Sequence, residues 1–132
     1  MLSEEETRHW LLPRRDILQS YVVEKDGIIT DFISFYSLPS TVVGSQKHEC
    51  IRAAYLFYYA TSSNVHLARL VHAALVEARN MGFDVFNCVE IMNNGTFLKE
   101  LQFGEGDGHL NYYLYNWQTL GMSSENVAVV ML

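Results

Sequence analysis

The 132-residue chain is long enough for one domain of ordinary size and too short for two independent cores. Hydrophobic residues make up 49% of it, which excludes a disordered chain. Fifteen acidic residues against nine basic ones give a net charge of -6, so the basic surface that nucleic-acid backbones require is missing. No run approaches the ~20 apolar residues of a membrane span, and the acidic start differs from a signal peptide. We therefore expect one cytoplasmic domain, residues 1–132.

The first predicted element is a short helix from Glu4 to Leu11. Ser3 followed three residues later by Glu6 forms a capping box. In this motif, the side chain of each residue accepts a hydrogen bond from the backbone N–H of the other. Pro13 ends the helix, because the residue before a proline is pushed out of helical geometry.

Two β-branched and aromatic runs follow, Ile17–Glu24 and Ile29–Tyr36. The intervening Lys25-Asp26-Gly27 supplies the positive φ angles of a tight turn, so the sequence predicts a β-hairpin. Leu38-Pro39-Ser40-Thr41 then breaks the second strand.

Two helices are predicted next. Apolar residues recur at helical spacing over Glu49–Ala60 and, more clearly, over Val65–Met81. Gly82 stands where a C-terminal cap belongs. The apolar run Phe83–Ile91 predicts a buried strand.

The rest of the chain predicts one more helix and two strands. Asn93 or Asn94 caps a helix through Leu101, and a glycine-rich loop follows. His109–Trp117 alternates like a strand, and Asn126–Leu132 is the last strand. This order predicts an α+β (α/β layered) domain with a central mixed sheet and flanking helices.

No self-contained catalytic motif is present, neither a Gly-x-Ser-x-Gly elbow, a phosphate-binding loop nor a His-Glu-x-x-His pair. The five histidines and two cysteines show no metal-ligand spacing, so we expect no metal site.

The glycine-rich loop Phe103–Gly108 carries two carboxylates, Glu105 and Asp107. Its three glycines allow close approach by backbone or ligand, and the carboxylates present negative charge to whatever docks. A solvated turn with an acidic tip is the alternative.

The end of the chain is apolar through Leu132, although chain ends are usually polar and frayed. This indicates a C-terminus tucked into the fold, where burial raises the pKa of the terminal carboxylate and makes it a better base. A sequence cut short, or an end that only pairs in a sheet, would give the same pattern.

Taken together, four stretches resemble the C-terminal half of the glycylpeptide N-tetradecanoyltransferase (N-myristoyltransferase) family. They are Thr30–Thr41, Gly82–Asn87, Phe103–Gly108 and Tyr112–Trp117. The resemblance implies a fold similar to the GNAT acetyltransferases, which each half of the family adopts.

The resemblance also implies a reaction, in which a myristoyl group passes from myristoyl-CoA to the N-terminal glycine of a protein. The C-terminal half would form much of the peptide groove, and the main-chain carboxylate of Leu132 would take the proton from the glycine ammonium. Myristoyl-CoA would be a co-substrate bound mainly by the N-terminal half, with no tightly bound cofactor. The implied partners are glycine-starting proteins and that complementary half.

The family's groove positions carry over to seven residues of this chain. They are Ser40, Tyr55, Val85, Asn87, Asp107, Gly108 and Leu110. Asp107, with Glu105 as a second candidate, would favour basic residues downstream of the substrate glycine.

The chain departs from the family in two places. Gln102 stands where the signature has Lys, and the Glu-Ile-Asn-Phe-Leu-Cys-x-His-Lys signature of the N-terminal half is not in this sequence. A non-catalytic peptide-binding module is therefore the alternative function. An independent acetyl-CoA-dependent enzyme is disfavoured, because Leu101 stands where its loop needs Arg or Gln.

Overall fold

The computed structural model describes residues 2–44, 47, 49–62, 64–111, 113–123 and 126. The chain forms two compact units, the first unit Met1–Val89 and the second unit Glu90–Leu132. In the part of the chain so described, no helix has the length and apolar character needed to cross a membrane.

The fold is α+β, as predicted, with a mixed four-stranded sheet. Its strand order is β1-β2-β5-β6, in which the first three strands are antiparallel and β6 runs parallel to β5. Two short strands, β3 and β4, form a separate antiparallel pair. The elements are α1 (Glu4–Leu11), β1 (Leu18–Lys25), β2 (Ile28–Ser37), β3 (Ser40–Thr41), β4 (Cys50–Ile51), β5 (Ala53–Thr61), α2 (Asn64–Asn80), β6 (Val85–Asn87) and α3 (Gly95–Leu98).

Helix α1 has the predicted bounds and the predicted capping box. The Ser3 hydroxyl accepts the Glu6 backbone N–H at 3.2 Å, and the Glu6 carboxylate accepts the Ser3 backbone N–H at 2.7 Å. Leu12 is extended just before Pro13, so the chain leaves the helix where the proline requires it.

The hairpin of β1 and β2 is also confirmed. Asp26 and Gly27 join the strands with φ angles of 53° and 78°. Two consecutive positive φ angles match the right-handed twist of the flanking strands, which explains why Asp-Gly is favoured at this position.

The helix predicted over Glu49–Ala60 is wrong, because this segment forms β4 and β5. Strand β5 is central, paired with β2 on one side and with β6 on the other. Every residue of β5 from Ala53 to Ala60 is apolar or aromatic, on both faces of the strand. Helical spacing therefore occurs within this run by coincidence.

Helix α2 confirms the second predicted helix, and Gly82 ends it. Gly82 has a φ of 77°, and its N–H donates to the Arg79 carbonyl at 2.9 Å. The Phe83 N–H donates to the Ala78 carbonyl at 3.0 Å, which completes a Schellman motif. Helix α2 packs on β2 and β5. Its buried residues are Leu67, Leu70, Val71, Ala74 and Ala78.

The core of the first unit is centred on Phe35 of β2, which is fully buried. Its ring lies 5.6–6.1 Å from the rings of Tyr21, Phe83 and Phe86. The Tyr21 hydroxyl donates to the Met81 sulfur at 3.8 Å, just beyond the end of α2. The sheet face that carries Tyr21 and Phe35 therefore packs against α2.

A β-bulge interrupts the pairing of β2 with β5. The register shifts at Ser34, which lies opposite two residues, Phe57 and Tyr58. The buried Ser34 hydroxyl donates to the Tyr58 carbonyl at 2.9 Å and accepts the Tyr58 N–H at 3.0 Å. One side chain thus replaces the ladder hydrogen bonds that a bulge removes.

The second unit begins with α3, which confirms the predicted start but is shorter than predicted. Asn94 occupies the N-cap position in helical geometry, and its side chain makes no capping hydrogen bond. The helix gives way to turns after Leu98, well before Leu101.

The turns after α3 close in a second Schellman motif. Gln102 has a φ of 59°, and its N–H donates to the Lys99 carbonyl at 3.3 Å. The Phe103 N–H donates to the Leu98 carbonyl at 2.9 Å. The reversal brings the Phe103 ring to 5.9 Å from the fully buried Phe97, and this contact anchors the start of the glycine-rich loop.

Of the three remaining predicted strands, one is shorter than predicted, one is wrong and one lies almost entirely outside the described residues. Of Phe83–Ile91, only Val85–Asn87 forms a strand, because β6 pairs with just three residues of β5. The strand predicted over His109–Trp117 is wrong: the described residues of that range form no strand. Alternation alone does not make a strand when no neighbouring strand accepts its hydrogen bonds. The last predicted strand, Asn126–Leu132, lies outside the described residues except for Asn126.

Candidate functional site

The predicted groove residues fall in both units. Ser40, Tyr55, Val85 and Asn87 belong to the first unit, whereas Asp107, Gly108 and Leu110 belong to the second. Leu132, the predicted source of the catalytic carboxylate, lies outside the described residues.

Three of the four residues in the first unit share one face of the sheet. Tyr55 of β5 is the register partner of Asn87 of β6, and Val85 pairs with Ala53 two residues earlier. Paired residues on neighbouring strands point to the same side, as do residues two apart on one strand. Tyr55 and Asn87 are half-buried, and Val85 is 42% exposed. The structure therefore brings Tyr55, Val85 and Asn87 together.

Tyr55 lies on the sheet face away from α2, in a row of aromatic rings. Tyr36 follows the core residue Phe35 and so points to the opposite face. Its ring stacks on Tyr55, with centroids 5.3 Å apart and planes 16° apart. Phe57 contacts the same Tyr36 ring edge-on at 5.6 Å. We call Tyr36, Tyr55 and Phe57 the aromatic face.

Ser40 lies at the same end of the sheet. The Leu38 N–H donates to the Ala53 carbonyl at 2.9 Å, which holds the chain beside the start of β5. Ser40 then pairs with Ile51 of β4, two residues before β5 begins. Its side chain is exposed, so its hydroxyl is open to a ligand.

Two residues that sequence reasoning missed hold this end of the sheet together. The Arg52 backbone N–H donates to the Asp84 carboxylate at 2.8 Å, and the Asp84 N–H donates to the Arg52 carbonyl at 2.9 Å. Arg52 immediately precedes β5, and Asp84 immediately precedes β6. Because the two residues are 32 positions apart, no local pattern in the sequence links them.

The glycine-rich loop of the second unit is exposed throughout its acidic part. Glu105, Asp107 and Gly108 are exposed, and Leu110 is 62% exposed. A Cβ atom added to Gly104, Gly106 or Gly108 would meet no atom within 4 Å among the described residues. The close backbone approach expected of these glycines is therefore absent within the described chain, and the space beside them is open.

A long apolar surface follows this loop. We call the described residues 110–111 and 113–122 the exposed apolar segment, because their large hydrophobic side chains are 60–93% exposed. These side chains are Leu110, Tyr113, Leu114, Tyr115, Trp117, Leu120 and Met122. So many exposed large apolar side chains within a short stretch of chain are typical of an interaction site.

No group of three or more His, Cys, Asp or Glu side chains that could hold a metal ion occurs among the described residues. Cys50 is exposed, and the half-buried Cys88 donates its thiol to the Val89 carbonyl at 3.5 Å.

Comparison with known proteins shows which family this chain is similar to. The chain matches the family model of the myristoyl-CoA:protein N-myristoyltransferase C-terminal domain over residues 1–130. It is 48% identical to glycylpeptide N-tetradecanoyltransferase 2 of Danio rerio over 136 residues, which cover 99% of this chain and 27% of that relative. A Plasmodium falciparum glycylpeptide N-tetradecanoyltransferase is 41% identical, with 100% of this chain and 32% of the relative covered. The chain thus spans about a quarter to a third of the length of such relatives.

Solved structures of similar proteins have a similar fold. Saccharomyces cerevisiae N-myristoyltransferase with bound myristoyl-CoA superposes with a TM-score of 0.77 at 35% identity, covering 82% of this chain and 29% of that one. A ribosomal-protein-alanine N-acetyltransferase from Brucella melitensis superposes with a TM-score of 0.57 at 18% identity, covering 87% and 80%. The second likeness concerns the fold alone, and it confirms the predicted GNAT-like architecture.

Proposed function

Because the chain belongs to the family of myristoyl-CoA:protein N-myristoyltransferase C-terminal domains, we propose that it forms the peptide-binding part of a glycylpeptide N-tetradecanoyltransferase. The complete enzyme would transfer a myristoyl group from myristoyl-CoA to the N-terminal glycine of a protein. The observation that carries the proposal is the shared placement of Tyr55, Val85 and Asn87 on one sheet face, beside the exposed Ser40.

This end of the sheet suits an extended peptide. The Ser40 and Tyr55 hydroxyls and the Asn87 amide can donate and accept hydrogen bonds, which an extended backbone needs at regular intervals. Val85 adds an apolar contact beside them. Because Tyr36 stacks on Tyr55, the phenol ring is held in one orientation, and less side-chain freedom is lost when a ligand binds.

The glycine-rich loop would supply the selectivity for basic residues. The exposed carboxylates of Glu105 and Asp107 attract Lys and Arg side chains downstream of the substrate glycine. Gly108 and Leu110 would contact the peptide itself, and the open space beside the glycines leaves room for a backbone.

The catalytic role proposed for the chain is that of a base at the C-terminus. The Leu132 carboxylate would take a proton from the glycine ammonium, and the free amine would attack the thioester carbonyl of myristoyl-CoA. A C–N bond forms and the C–S bond breaks, and the thiolate of coenzyme A takes up the second proton that the amine nitrogen loses as it becomes an amide. The family resemblance and the apolar sequence before Leu132 support this role.

The remaining parts of the enzyme would come from the complementary N-terminal half, which would hold most of the myristoyl-CoA site. The S. cerevisiae relative carries bound myristoyl-CoA, and this chain covers only 29% of it. The exposed apolar segment is a surface on which that half could dock.

Peptide binding is the first test. Titration of the chain with a glycine-starting, lysine-containing peptide should show binding that weakens as salt is added, because exposed carboxylates are screened. Asp107→Asn should weaken binding of this peptide more than binding of a matched peptide whose lysines are replaced by glutamine. Equal loss for both peptides would contradict the role of Asp107.

Transfer is the second test. The chain is mixed with the complementary half, myristoyl-CoA and the same peptide, and myristoylation is followed by mass spectrometry. Deletion of Leu132 should greatly reduce the rate, because the carboxylate is displaced by one residue. A full rate after this deletion would refute the base, whereas peptide binding without any transfer would favour a non-catalytic binding module.

A further inference from the structure

Arg52 occupies the single residue between β4 and β5, and its side chain reaches across to the end of α2. Nη1 donates to the carbonyls of Met81 and Gly82, at 2.9 and 3.1 Å. The guanidinium carbon lies 5.0 Å from the centre of the Phe83 ring. An exposed arginine thus holds three consecutive residues of the segment that leads from α2 into β6.

These contacts are favourable for a specific physical reason. The Met81 carbonyl lies at the C-terminal end of α2, where carbonyls lack intrahelical partners and carry the negative end of the helix dipole, and the Gly82 carbonyl belongs to the turn that follows. A guanidinium satisfies them with charge-assisted hydrogen bonds, and its planar group also packs on an aromatic ring. Arg52 therefore stabilises the turn at Gly82 in the conformation that directs the chain towards β6.

The backbone of Arg52 completes the contact. It exchanges hydrogen bonds with Asp84, through the carboxylate at 2.8 Å and through the Asp84 N–H at 2.9 Å. The next residues along each strand, Ala53 and Val85, are the first register pair of β5 and β6. We call the contacts of Arg52 with residues 81–84 the Arg52 bracket.

The Arg52 bracket matters because the β5–β6 ladder contains only three register pairs. A slip of one residue moves every side chain of a strand to the opposite face. Asn87 would then leave the face that carries Tyr55. A short ladder specifies its register weakly, so contacts at its start decide which residues share a face.

We propose that Arg52 is a positioning residue for the peptide groove: the Arg52 bracket sets the register that places Asn87 beside Tyr55. The proposal rests on the proposed function, in which these two side chains contact the peptide. Neither Arg52 nor Asp84 needs to touch the peptide itself. Their side chains act at the start of β5 and β6, ahead of the paired residues.

The experiment compares Arg52→Met with Arg52→Lys and with Asp84→Ala in this chain. Amide hydrogen exchange of Asn87 reports the pairing of β6 without any peptide, because Val85 donates its N–H to the β5 side of the ladder and Asn87 is two residues further along the strand. Titration reports affinity for the glycine-starting peptide. Arg69→Met is the matched control, because Arg69 is exposed on α2 and makes no hydrogen bond or ion pair among the described residues.

Arg52→Met and Asp84→Ala should each lower the exchange protection of Asn87 by about tenfold, with a similar loss of peptide affinity. Protection of the β1–β2 hairpin should stay unchanged, which separates this effect from general unfolding. Arg52→Lys should lower exchange protection and peptide affinity less than Arg52→Met does, because an ammonium can still donate to a carbonyl. Arg69→Met should change neither.

Unchanged protection of β6 in Arg52→Met would overturn the proposal, and so would lost protection with full peptide affinity. A wild-type chain that binds no peptide would instead refute the proposed function. In that case the exchange data would still decide whether Arg52 sets the register.

Discussion

The two units of this protein differ in how far their aromatic side chains are buried. In the first unit, Phe35 is fully buried and three aromatic rings surround it. In the second unit, Phe97 is fully buried, but Tyr115 and Trp117 are 93% and 71% exposed. Apolar composition alone therefore does not decide whether an aromatic side chain is buried or exposed.

The difference between the units follows from hydrogen bonding as well as packing. The sheet of the first unit satisfies its backbone through β1, β2, β5 and β6, and α2 covers one of its faces. In the second unit, the described residues after Phe103 form no strand.

The largest expected effect tests this contrast directly. Phe35→Ala should lower the free energy of unfolding by about 3–5 kcal/mol, because it empties the centre of a packed core. Trp117→Ala should change it by less than about 0.5 kcal/mol, because the indole is mostly exposed. Urea unfolding followed by circular dichroism measures both. A loss in Trp117→Ala as large as that in Phe35→Ala would show that the Trp117 side chain is packed in the folded protein and would contradict its exposure.

A smaller effect is expected at the β-bulge of the first unit. Ser34→Ala leaves the Tyr58 N–H and carbonyl without their side-chain partner and should cost about 1–3 kcal/mol. Its register partner Ser20 is the matched control, because its buried hydroxyl has no hydrogen-bond partner among the described residues. Ser20→Ala should therefore be neutral or stabilising in the same urea assay. Equal losses in the two variants would contradict the role of Ser34.

In the second unit, one substitution should increase stability. Gln102 has a φ of 59° at the end of the turns after α3, a conformation that glycine adopts without strain. Gln102→Gly should stabilise the local structure by about 0.5–1 kcal/mol, seen as slower amide exchange at Phe103. Gln102→Ala keeps a Cβ and should give no such gain. Faster exchange at Phe103 in Gln102→Gly would contradict the assignment.

The smallest effect concerns α1 and depends on pH. Hydrogen bonds from the Ser3 backbone and side chain hold the pKa of Glu6 below its ordinary value of 4.5. A lowered pKa in the folded state means that the ionised carboxylate supports α1 above pH 4.5 and that this support is lost as the pH falls through the lowered pKa. Chemical shifts of α1 should therefore show fraying in acid. Glu6→Gln should reduce this pH dependence, whereas Glu5→Gln should not.

Much of the first unit could be predicted because its signals are local. The capping box of α1, the Asp26-Gly27 turn and the cap at Gly82 each depend on neighbouring residues, and each is confirmed. The segment at β5 is predicted as a helix because it is apolar or aromatic on both faces, so that its spacing fits either structure. That it is a strand depends on pairing with β2 and β6, which lie far away in the chain. The alternation of His109–Trp117 failed for the opposite reason, since the described residues provide it with no neighbouring strand.

The candidate site divides in the same way. The resemblance to a family indicated Ser40, Tyr55, Val85 and Asn87 one by one, from motifs in the sequence. That Tyr55 and Asn87 are register partners follows only from the pairing of β5 with β6. The Arg52 bracket, which joins residues 32 positions apart, had no signal in the sequence.

From the sequence alone, the α+β class, the caps of α1 and α2, the hairpin and the family could be predicted, because these depend on short-range geometry and on motifs of a few residues. The predicted asparagine cap of α3 was wrong, since Asn94 makes no capping hydrogen bond. The tertiary structure decided that residues 53–61 form a central strand and which groove side chains share a face. It also separated a first unit packed on its own core from a second unit with a large exposed apolar surface. The physical reason is that strand pairing and burial require partners distant in the chain, and spacing along the sequence does not identify them.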